Sequence, residues 1–333
     1  MKTQMKPKVF GMIFLLATLL VNYGNAQEGR TPTMIKTFEM DQPGTLNATS
    51  SGGGIIVETQ NQNKVEVQVF VRKNGKILSK SDANVKEILD NYNLEIEKNG
   101  TVITAKAERK IRFNAFNNTG ISFTIIVPRE MSCNVSSSGG GVKVSGVAGT
   151  HEISSSGGGV QLENTSGTTK ARSSGGSVEA TNHKGDIQLR SSGGKVSLDH
   201  AQGNISAYSS GGGVYLSDIN GDVEAGSSGG GVHVSGEAGR VKAKSSGGPV
   251  KVDISNVKKE LNLSSSGGGV DAVIHGGDKL GLDLDLSSDR VNIDLHNFSG
   301  RSEKNRVKGT MNGGGIPVYM RASGGSVNVH FEN

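Results

Sequence analysis

Residues 155–172 read SSGGGVQLENTSGTTKAR, and this 18-residue stretch returns with small changes along the middle of the chain. Its clearest marker is a glycine pair, which recurs seven times at a fixed 18-residue step and once more after a longer step. The pairs open at Gly139, Gly157, Gly175, Gly193, Gly211, Gly229, Gly247 and Gly267. A short fixed period indicates one supersecondary unit stacked on copies of itself. The repeat therefore decides the architecture.

Each copy alternates apolar and polar residues in two segments, a pattern typical of half-buried strands. The first segment has apolar columns at Val142, Val160, Val178, Val196, Val214, Val232 and Val250, then at Val144, Leu162, Ala180, Leu198, Leu216, Val234 and Val252. The second follows a glycine turn and places apolar residues at Ile153, Ala171, Ile187, Leu189, Ile205, Ala207, Val223, Ala225, Val241 and Ala243. A flexible linker has no reason to keep such columns in phase, so disorder is excluded.

Two strands and two turns per 18 residues predict one coil of an all-β, narrow single-stranded β-solenoid, or β-helix. The coils should stack at the strand spacing of about 4.8 Å. Serine columns that begin at Ser137 and Ser138 run unbroken to Ser245 and Ser246. We expect one column to point inward, with its hydroxyl groups hydrogen-bonded to one another along the axis. We expect the adjacent glycines to adopt positive φ at a tight corner.

The chain divides into four predicted segments. They are 1–26 as a signal peptide, 31–130 as an N-terminal β-rich portion and cap, 131–275 as the regular repeat, and 276–333 as degenerate C-terminal coils and cap. Pieces of the corner motif also occur outside the repeat, at 50–55, 287–293 and 323–329. Atypical ends are expected, because an open solenoid edge is a template for aggregation and must be capped.

The N-terminal portion reads as strands with one short helix. Alternation predicts strands at 64–72 and 121–127, and an Asn-Gly turn predicts a hairpin within 93–108. The helix is predicted to start at Asn84, which acts as the N-cap and has capping-box spacing to Glu87. Its apolar face is formed by Val85, Ile88 and Leu89.

The first residues indicate export. A basic start, an apolar run at 9–21 and the small residues Gly24-Asn25-Ala26 have the form of a secretory signal peptide. The apolar run is shorter than a membrane span requires. Removal of residues 1–26 takes away three lysines and no acid, which lowers the net charge from +5 to +2 and removes the case for nucleic-acid binding. We predict a periplasmic, cell-surface or secreted protein with no transmembrane segment in the mature chain.

The residues that could carry metal chemistry do not form the expected ladders. A calcium-binding β-roll would stack acids in its turn column, but that column reads Thr150, Thr168, Asp186, Asn204, Asp222 and Arg240. Cys133 is the single cysteine, so neither a disulfide framework nor a thiolate cluster is available. His151 shares the inward column of Cys133, and both are predicted to be buried packing residues. We expect no metal at His183, His200 or His233, because the 18-residue phase does not bring these histidines together.

Catalytic motifs are equally sparse. The sequence contains no phosphate loop or His-Glu metal motif. Asp283 and Asp285 alternate with leucines, which leaves open a paired-carboxylate glycosidase site but favours the solvent face of an amphipathic strand. We therefore expect no catalytic residues and no cofactor.

Several motifs in order resemble a known family. They are Thr37-Phe38-Glu39 with Pro43-Gly44, Ser51-Gly52-Gly53-Gly54, Ile125-Ile126-Val127-Pro128, the Ser-Gly-Gly coils, and Ser323-Gly324-Gly325-Ser326-Val327. Together they resemble the bacterial putative-adhesin family of β-strand-repeat proteins, related to the head GIN domain, over nearly all of the mature chain. The resemblance implies an extracytoplasmic β-solenoid with an adhesin-like role, and it supplies no catalytic residues.

The predicted function is therefore a non-enzymatic, exported solenoid, either adhesin-like or a cell-envelope-associated binding or structural protein. A carbohydrate-active β-helix enzyme that acts on extracellular polysaccharide is the alternative. Basic residues beside aromatics, on segments outside the regular coils, could contact a glycan or an envelope surface. These candidate partner contacts are Arg109, Lys110, Arg112, Phe113, Phe116, Arg301, Lys304 and Arg306. That these segments are merely solvated connections remains an open alternative.

Overall fold

The computed structural model describes residues 31–110 and 118–332, so the predicted signal peptide at 1–26 lies outside the described residues. Before the repeat come β1 (Met34–Glu39), β2 (Gly44–Ser50), β3 (Ile55–Gln60), β4 (Lys64–Lys73), β5 (Lys76–Ile77), α1 (Asn84–Asp90), β6 (Tyr92–Asn99), β7 (Val102–Arg109) and β8 (Thr119–Pro128). The described chain is almost entirely β, which confirms the predicted fold class.

The repeat supplies sixteen strands, two per coil. They are β9 (Met131–Ser137), β10 (Val142–Ser145), β11 (Ala148–Ser155), β12 (Val160–Glu163), β13 (Ser166–Ser173), β14 (Val178–Lys184), β15 (Ile187–Ser191), β16 (Val196–Gln202), β17 (Ile205–Ser209), β18 (Val214–Asn220), β19 (Val223–Ser227), β20 (Val232–Glu237), β21 (Arg240–Ser245), β22 (Val250–Ser255), β23 (Glu260–Ser265) and β24 (Val270–His275). The last six strands are β25 (Leu282–Ser287), β26 (Val291–Ile293), β27 (Phe298–Glu303), β28 (Arg306–Met311), β29 (Ile316–Ala322) and β30 (Val327–Glu332). A 3₁₀ turn lies at Gly277–Lys279.

The two strands of each coil belong to two different ladders, which we call sheet 1 and sheet 2. Sheet 1 runs β1, β4, β8, β3, β10, β12, β14, β16, β18, β20, β22, β24, β30, β26. Sheet 2 runs β6, β7, β2, β9, β11, β13, β15, β17, β19, β21, β23, β29, β25, β28, β27. Within the repeat all neighbours are parallel, and most pair residues 18 apart, as in Val160 with Val178. A longer turn at 256–259 changes the step, so that Arg240 pairs with Glu260.

The core lies between the two sheets and is made of small apolar side chains. The valine column of sheet 1 is at most 2% exposed from Val142 to Val270, and the opposing Ile and Ala columns of sheet 2 are similarly buried. Because successive coils are only one strand spacing apart, each inward side chain packs against its own copies in the coils above and below. This confirms the predicted inward columns and leaves the alternate residues of each strand on two outer faces.

One serine in each glycine corner is buried and joins two coils. The Ser191 hydroxyl donates to the Gly176 carbonyl at 2.9 Å and accepts from the Gly194 N–H at 2.9 Å. The same arrangement recurs at Ser137, Ser155, Ser173, Ser209, Ser227, Ser245 and Ser265. The inward serine column is thus confirmed, but the predicted hydroxyl-to-hydroxyl bonds are wrong. The hydroxyls instead satisfy corner N–H and C=O groups that would otherwise be buried without partners.

The glycine pairs are required for close stacking and do not have the positive φ that we predicted. None of the pairs from Gly139 to Gly267 is among the positive-φ residues. A Cβ on Gly140 would lie 2.3 Å from the backbone nitrogen of Gly54 in the neighbouring coil. Positive φ is found instead at the opposite turn, for example at Gly185 with φ 118°. The corner glycines therefore let two backbones approach where a side chain would separate the coils.

At both ends of the solenoid, the order of the coils in space differs from their order in the sequence. The coil β2–β3 lies between β7–β8 and β9–β10, because each of its strands is parallel to one strand on either side. At the other end, β29–β30 lies between β23–β24 and β25–β26. Beyond these coils the chain turns antiparallel, with β4 and β6 at one end and β27 and β28 at the other. The antiparallel strands cap both sheets at the N-terminal end and sheet 2 at the C-terminal end, where sheet 1 ends instead with the parallel strand β26.

The predicted α-helix is found where the sequence placed it, but its N-cap differs. Helix α1 begins at Asn84, and the preceding Ala83 supplies no side-chain cap. The Asp82 carboxylate accepts the Asn84 N–H at 2.8 Å. Asp82, two residues before the helix, therefore supplies the capping oxygen that was predicted at Asn84. Val85 and Ile88 are buried as predicted, and Leu89 is partly buried against the same core.

Candidate functional site

The outer face of sheet 2 carries a row of basic and aromatic residues beside the glycine corner. Strand pairing places Arg172, Arg190, Tyr208, Gly226 and Lys244 next to one another in five successive coils. We call these five residues the basic row. The column continues as Ser154 and Ser136 at one end and as Ser264, Arg321 and Ser287 at the other, with no acid in it. The row was not among the predicted contacts, although the 18-residue register aligns it in the sequence.

Tyr208 is held in place at the centre of the row. The Arg190 guanidinium lies 5.2 Å from the centre of the Tyr208 ring, and the Tyr208 hydroxyl donates to the Glu224 carboxylate. A Cβ on Gly226 would lie 2.7 Å from a ring carbon, so the ring covers this glycine. Burial and the bond to Glu224 raise the pKa of Tyr208 to about 12, which keeps the hydroxyl protonated at neutral pH. Arg190 and Tyr208 therefore form one ordered cation–π unit.

The cations of the row have few partners of their own. Arg172 meets only Glu152, at 4.0 Å with both side chains exposed. Within the described residues, Lys244 has no ion pair and no hydrogen bond from its side chain. Several other basic groups on the coils are paired, namely Lys143 with Glu163, Lys195 with Glu179, Arg240 with Asp222, and Lys242 with Glu260, whereas others such as Lys170 and Lys251 form no ion pair within the described residues. The row is thus a strip of available positive charge.

An open groove of about 520 Å³ lies beside the row on the same face. Its lining includes part of the turn column that we compared above with a calcium-binding β-roll. The Asp186 carboxylate accepts from the Asn204 side-chain amide at 2.9 Å, and Asp222 pairs with Arg240 at 3.2 Å and with Lys259 at 2.8 Å. Each of these two acids is therefore engaged with a protein donor. The column is used for turn and ion-pair contacts, as expected for Asp and Asn at turns.

The outer face of sheet 1 carries an aromatic pair of a different kind. The rings of Tyr215 and His233 stack 5.2 Å apart with an interplanar angle of 14°. Burial, with a smaller contribution from the nearby Lys251, lowers the pKa of His233. Because acids such as Glu179 lie on the same face, this face has mixed charge.

The turn opposite the glycine corner brings His200 between two carboxylates. His200 Nδ1 lies 2.7 Å from Asp199, and its Nε2 lies 3.2 Å from Asp218. The three groups are close enough to share one ion, a grouping with carboxylates that the comparison of histidine positions did not reveal. The reason is that His200 and Asp218 occupy left-handed positions of successive turns, with φ 54° and 49°, which align their side chains. The hydrogen bonds within this exposed group account for its geometry without an ion.

The other candidate ligands of the sequence are core residues. Cys133 is fully buried and His151 is 2% exposed, as predicted. Burial raises the pKa of the Cys133 thiol to about 12 and lowers the pKa of His151 to about 4. His183 is also buried, and its Nδ1 lies 2.9 Å from the Thr165 hydroxyl. These side chains are neutral packing groups at pH 7.

The predicted partner contacts fall at opposite ends of the strand order. Arg112, Phe113 and Phe116 lie outside the described residues. Arg109 is structural in character, because its guanidinium bonds the Thr119 carbonyl at 2.6 Å and the Tyr92 hydroxyl at 3.0 Å. Lys110 donates to the Asp90 carbonyl. Arg109 and Lys110 therefore do not join Arg301, Lys304 and Arg306 in one site.

The C-terminal contacts lie on the β27–β28 hairpin. Arg301 pairs with Glu303 at 2.5 Å, and Arg306 approaches Asp285 at 3.4 Å. Asp283, the other acid of the predicted carboxylate pair, accepts the Gly315 N–H at 3.1 Å. Both carboxylates lie on the outward side of β25, whose leucines are buried, which confirms the predicted amphipathic strand.

Comparisons with known proteins add no assignment. No family model and no curated protein matches the chain. A solved structure from Clostridium sporogenes, described as a putative cell adhesion protein, is 12% identical and covers 90% of this chain and 98% of its own, with a TM-score of 0.22. Another, from Parabacteroides distasonis and described as a putative lipid binding protein, is 12% identical and covers 89% of this chain and 96% of its own, with a TM-score of 0.28. At these TM-scores neither likeness carries an argument. In the described residues, no helix is long and apolar enough to cross a membrane.

Proposed function

We propose that this protein is an exported, non-enzymatic β-solenoid that acts as an adhesin-like or cell-envelope-associated binding scaffold. The observation that carries the proposal is the basic row, in which exposed cations with weak or no internal partners are held at fixed coil spacing. Charges arranged in this way can meet a ligand without first breaking contacts within the protein. The signal-peptide pattern at 1–26 supports export.

The groove beside the row supports a second candidate function, a carbohydrate-active enzyme. It brings Asp186, Asp222, Glu224 and Arg240 to one surface, and acids near an arginine can perform acid–base chemistry on a sugar. Asp186 and Asp222 are, however, held by protein donors, and Glu224 accepts from Tyr208. Their engagement favours the binding function.

Incubation of the purified protein with a panel of envelope and host polysaccharides separates the two functions. The assay scores both retention of the protein on the polymer and release of reducing ends. We expect retention without release. Release that is abolished by Asp222→Asn or Glu224→Gln would establish the enzyme and overturn the binding function. Retention of the same two variants serves as the control for folding.

A further inference from the structure

We propose that the basic row binds an acidic polysaccharide whose chain lies along the solenoid axis, across successive coils. The proposal rests on the binding function above and names its surface and ligand class. It moves the contact from the predicted terminal segments to the middle of the regular repeat.

The direction of the ligand follows from the strand register. Arg172 and Arg190 pair directly across neighbouring strands, and Lys244 lies three coils beyond Arg190. With neighbouring strands about 4.8 Å apart, the cations form a line along the axis that is roughly 20 Å long. A linear chain with anionic groups can contact all three cations only if it runs in this direction.

The chemistry of the flanking columns fits sugar hydroxyl groups. On the corner side of the row lie exposed serines, one per coil, at Ser156, Ser174, Ser192, Ser210, Ser228 and Ser246. On the groove side lie Gln188 and Ser206. Hydroxyl and amide groups both donate and accept hydrogen bonds, as sugar hydroxyls do. The row thus offers charge in the centre and neutral hydroxyl groups on the corner side, while on the groove side the neutral Gln188 and Ser206 lie between Lys170 and Glu224.

The spacing of charge distinguishes this ligand from nucleic acid. Duplex DNA carries one negative charge per roughly 1.7 Å of axis, and its binding proteins match it with dense clusters of Lys and Arg. The basic row has three cations in five coils, and Glu152 and Glu224 lie close to it. A polymer with one carboxylate per sugar or per few sugars has the sparser charge that suits this strip.

Other surfaces of the described chain are less suited to a polyanion. On the outer face of sheet 1, Glu179 and Glu163 neutralise Lys195 and Lys143. On the C-terminal hairpin, Arg301 is paired with Glu303. The basic row combines exposed cations, an acid-free column and a fixed register.

The test compares two variants with the same loss of charge. The row variant combines Arg172→Gln, Arg190→Gln and Lys244→Gln, and the hairpin variant combines Arg301→Gln, Lys304→Gln and Arg306→Gln. Titration calorimetry measures binding of each to polygalacturonate, with dextran as the neutral polymer, duplex DNA and vesicles of phosphatidylglycerol as other anions. We expect the row variant to bind polygalacturonate about tenfold more weakly, the combined effect of three exposed charge pairs. The hairpin variant should bind as the wild type does.

Each other outcome contradicts a different part of the proposal. Equal losses in both variants would show that net charge alone attracts the polymer and would overturn the row. Binding that is unchanged in the row variant would overturn the row while leaving the binding scaffold in place. Tighter binding to DNA or to the vesicles than to polygalacturonate would show that the row binds a different class of ligand and would overturn the proposal. Failure of the wild type to bind any polymer would contradict the scaffold itself, and unchanged circular dichroism of both variants excludes misfolding as a cause.

Discussion

At the glycine corner, a single serine hydroxyl links each coil to the one before it. Ser191 accepts from Gly194 in its own coil and donates to Gly176 in the preceding coil. Because the bond is repeated in every regular coil, a side chain of modest size holds together backbone that is too tightly stacked for anything larger than glycine.

Ser191→Ala should destabilise this corner and Ser192→Ala should not. Loss of the buried hydroxyl leaves the Gly194 N–H and the Gly176 carbonyl without partners, at a cost of about 1–3 kcal/mol. Ser192 is exposed, and its replacement should stay within about 0.5 kcal/mol. Amide hydrogen exchange at Gly194 reports the local effect directly. Equal exchange rates in the two variants would mean that the serine bridge contributes nothing.

Gly140→Ala tests whether close stacking explains the glycine pairs. The added Cβ would lie 2.3 Å from the Gly54 nitrogen, so the adjacent backbone must move, at a cost of about 1–3 kcal/mol or more. Gly141→Ser in the same corner is the matched control, because Ser177 and Lys195 occupy its position in later coils. Thermal denaturation should show a lower midpoint for the first variant only. Similar midpoints for both would favour a purely conformational reason for the glycine pair.

At the scale of strands, two buried histidines interrupt apolar columns. His151 lies in register with Cys133 and Thr169, in the column that continues with Ile187. His183 occupies the equivalent of Ala201 and Ile219. Burial is the main cause of the lowered pKa of both histidines; the nearby Asp186 carboxylate partly offsets it at His183, and the column of His151 contains no charged residue.

The stability of the protein should therefore fall in acid. Folding lowers the pKa of His151 from 6.5 to about 4, so above pH 6.5 the imidazole is neutral in both states and contributes no pH dependence. As the pH falls from 6.5 to 4, the unfolded chain binds a proton that the folded chain does not, and the free energy of unfolding decreases. His151→Val should flatten this slope. Denaturation at several pH values measures it, and Ile153→Val, which carries no titratable group, should leave the slope unchanged.

The order of strands at the two ends shows where sequence patterns stop being informative. The 18-residue period predicted the register of most regular coils, because each strand pairs with its own copy in the next coil; the exceptions are the longer turn at 256–259 and a register shift between β18 and β20. The corner fragments at 50–55 and 323–329 were also recognised as coil-like. Their positions between other strands could not be predicted, since pairing of β2 with β7 and β9 depends on complementary edges that are far apart in the chain.

The candidate site shows a related limit. The terminal basic segments were predicted as partner contacts because they depart from the repeat. In the structure, however, the Arg109 guanidinium donates a hydrogen bond to the Thr119 carbonyl. Arg172, Arg190, Tyr208 and Lys244 were already aligned by the period, but a column of varied polar residues gives no signal of its own. What makes the row distinctive is that its exposed cations share one column without acids, where Arg172 has only a distant pair with Glu152 and Lys244 has no ion pair within the described residues. Those contacts depend on side-chain geometry.

For the whole molecule, the stacked coils provide rigidity and the outer faces provide chemistry. Serine bridges and glycine corners hold the coils at one strand spacing, while the alternate residues of each strand are free to vary. On the outer face of sheet 2, the basic row places cations in a line, and antiparallel strands cap this sheet at both ends. A ligand chain along the axis would contact several coils at once and so gain from their fixed register.

Size-exclusion chromatography of polygalacturonate mixed with the protein, before and after dissociation in high salt, tests the central claim most directly. We predict that the protein elutes with the polymer at low salt, that high salt releases it by screening the ion pairs, and that the released polymer keeps its original length. A shortened polymer would contradict a non-enzymatic scaffold. Protein that elutes separately from the polymer at low salt would contradict binding by the solenoid.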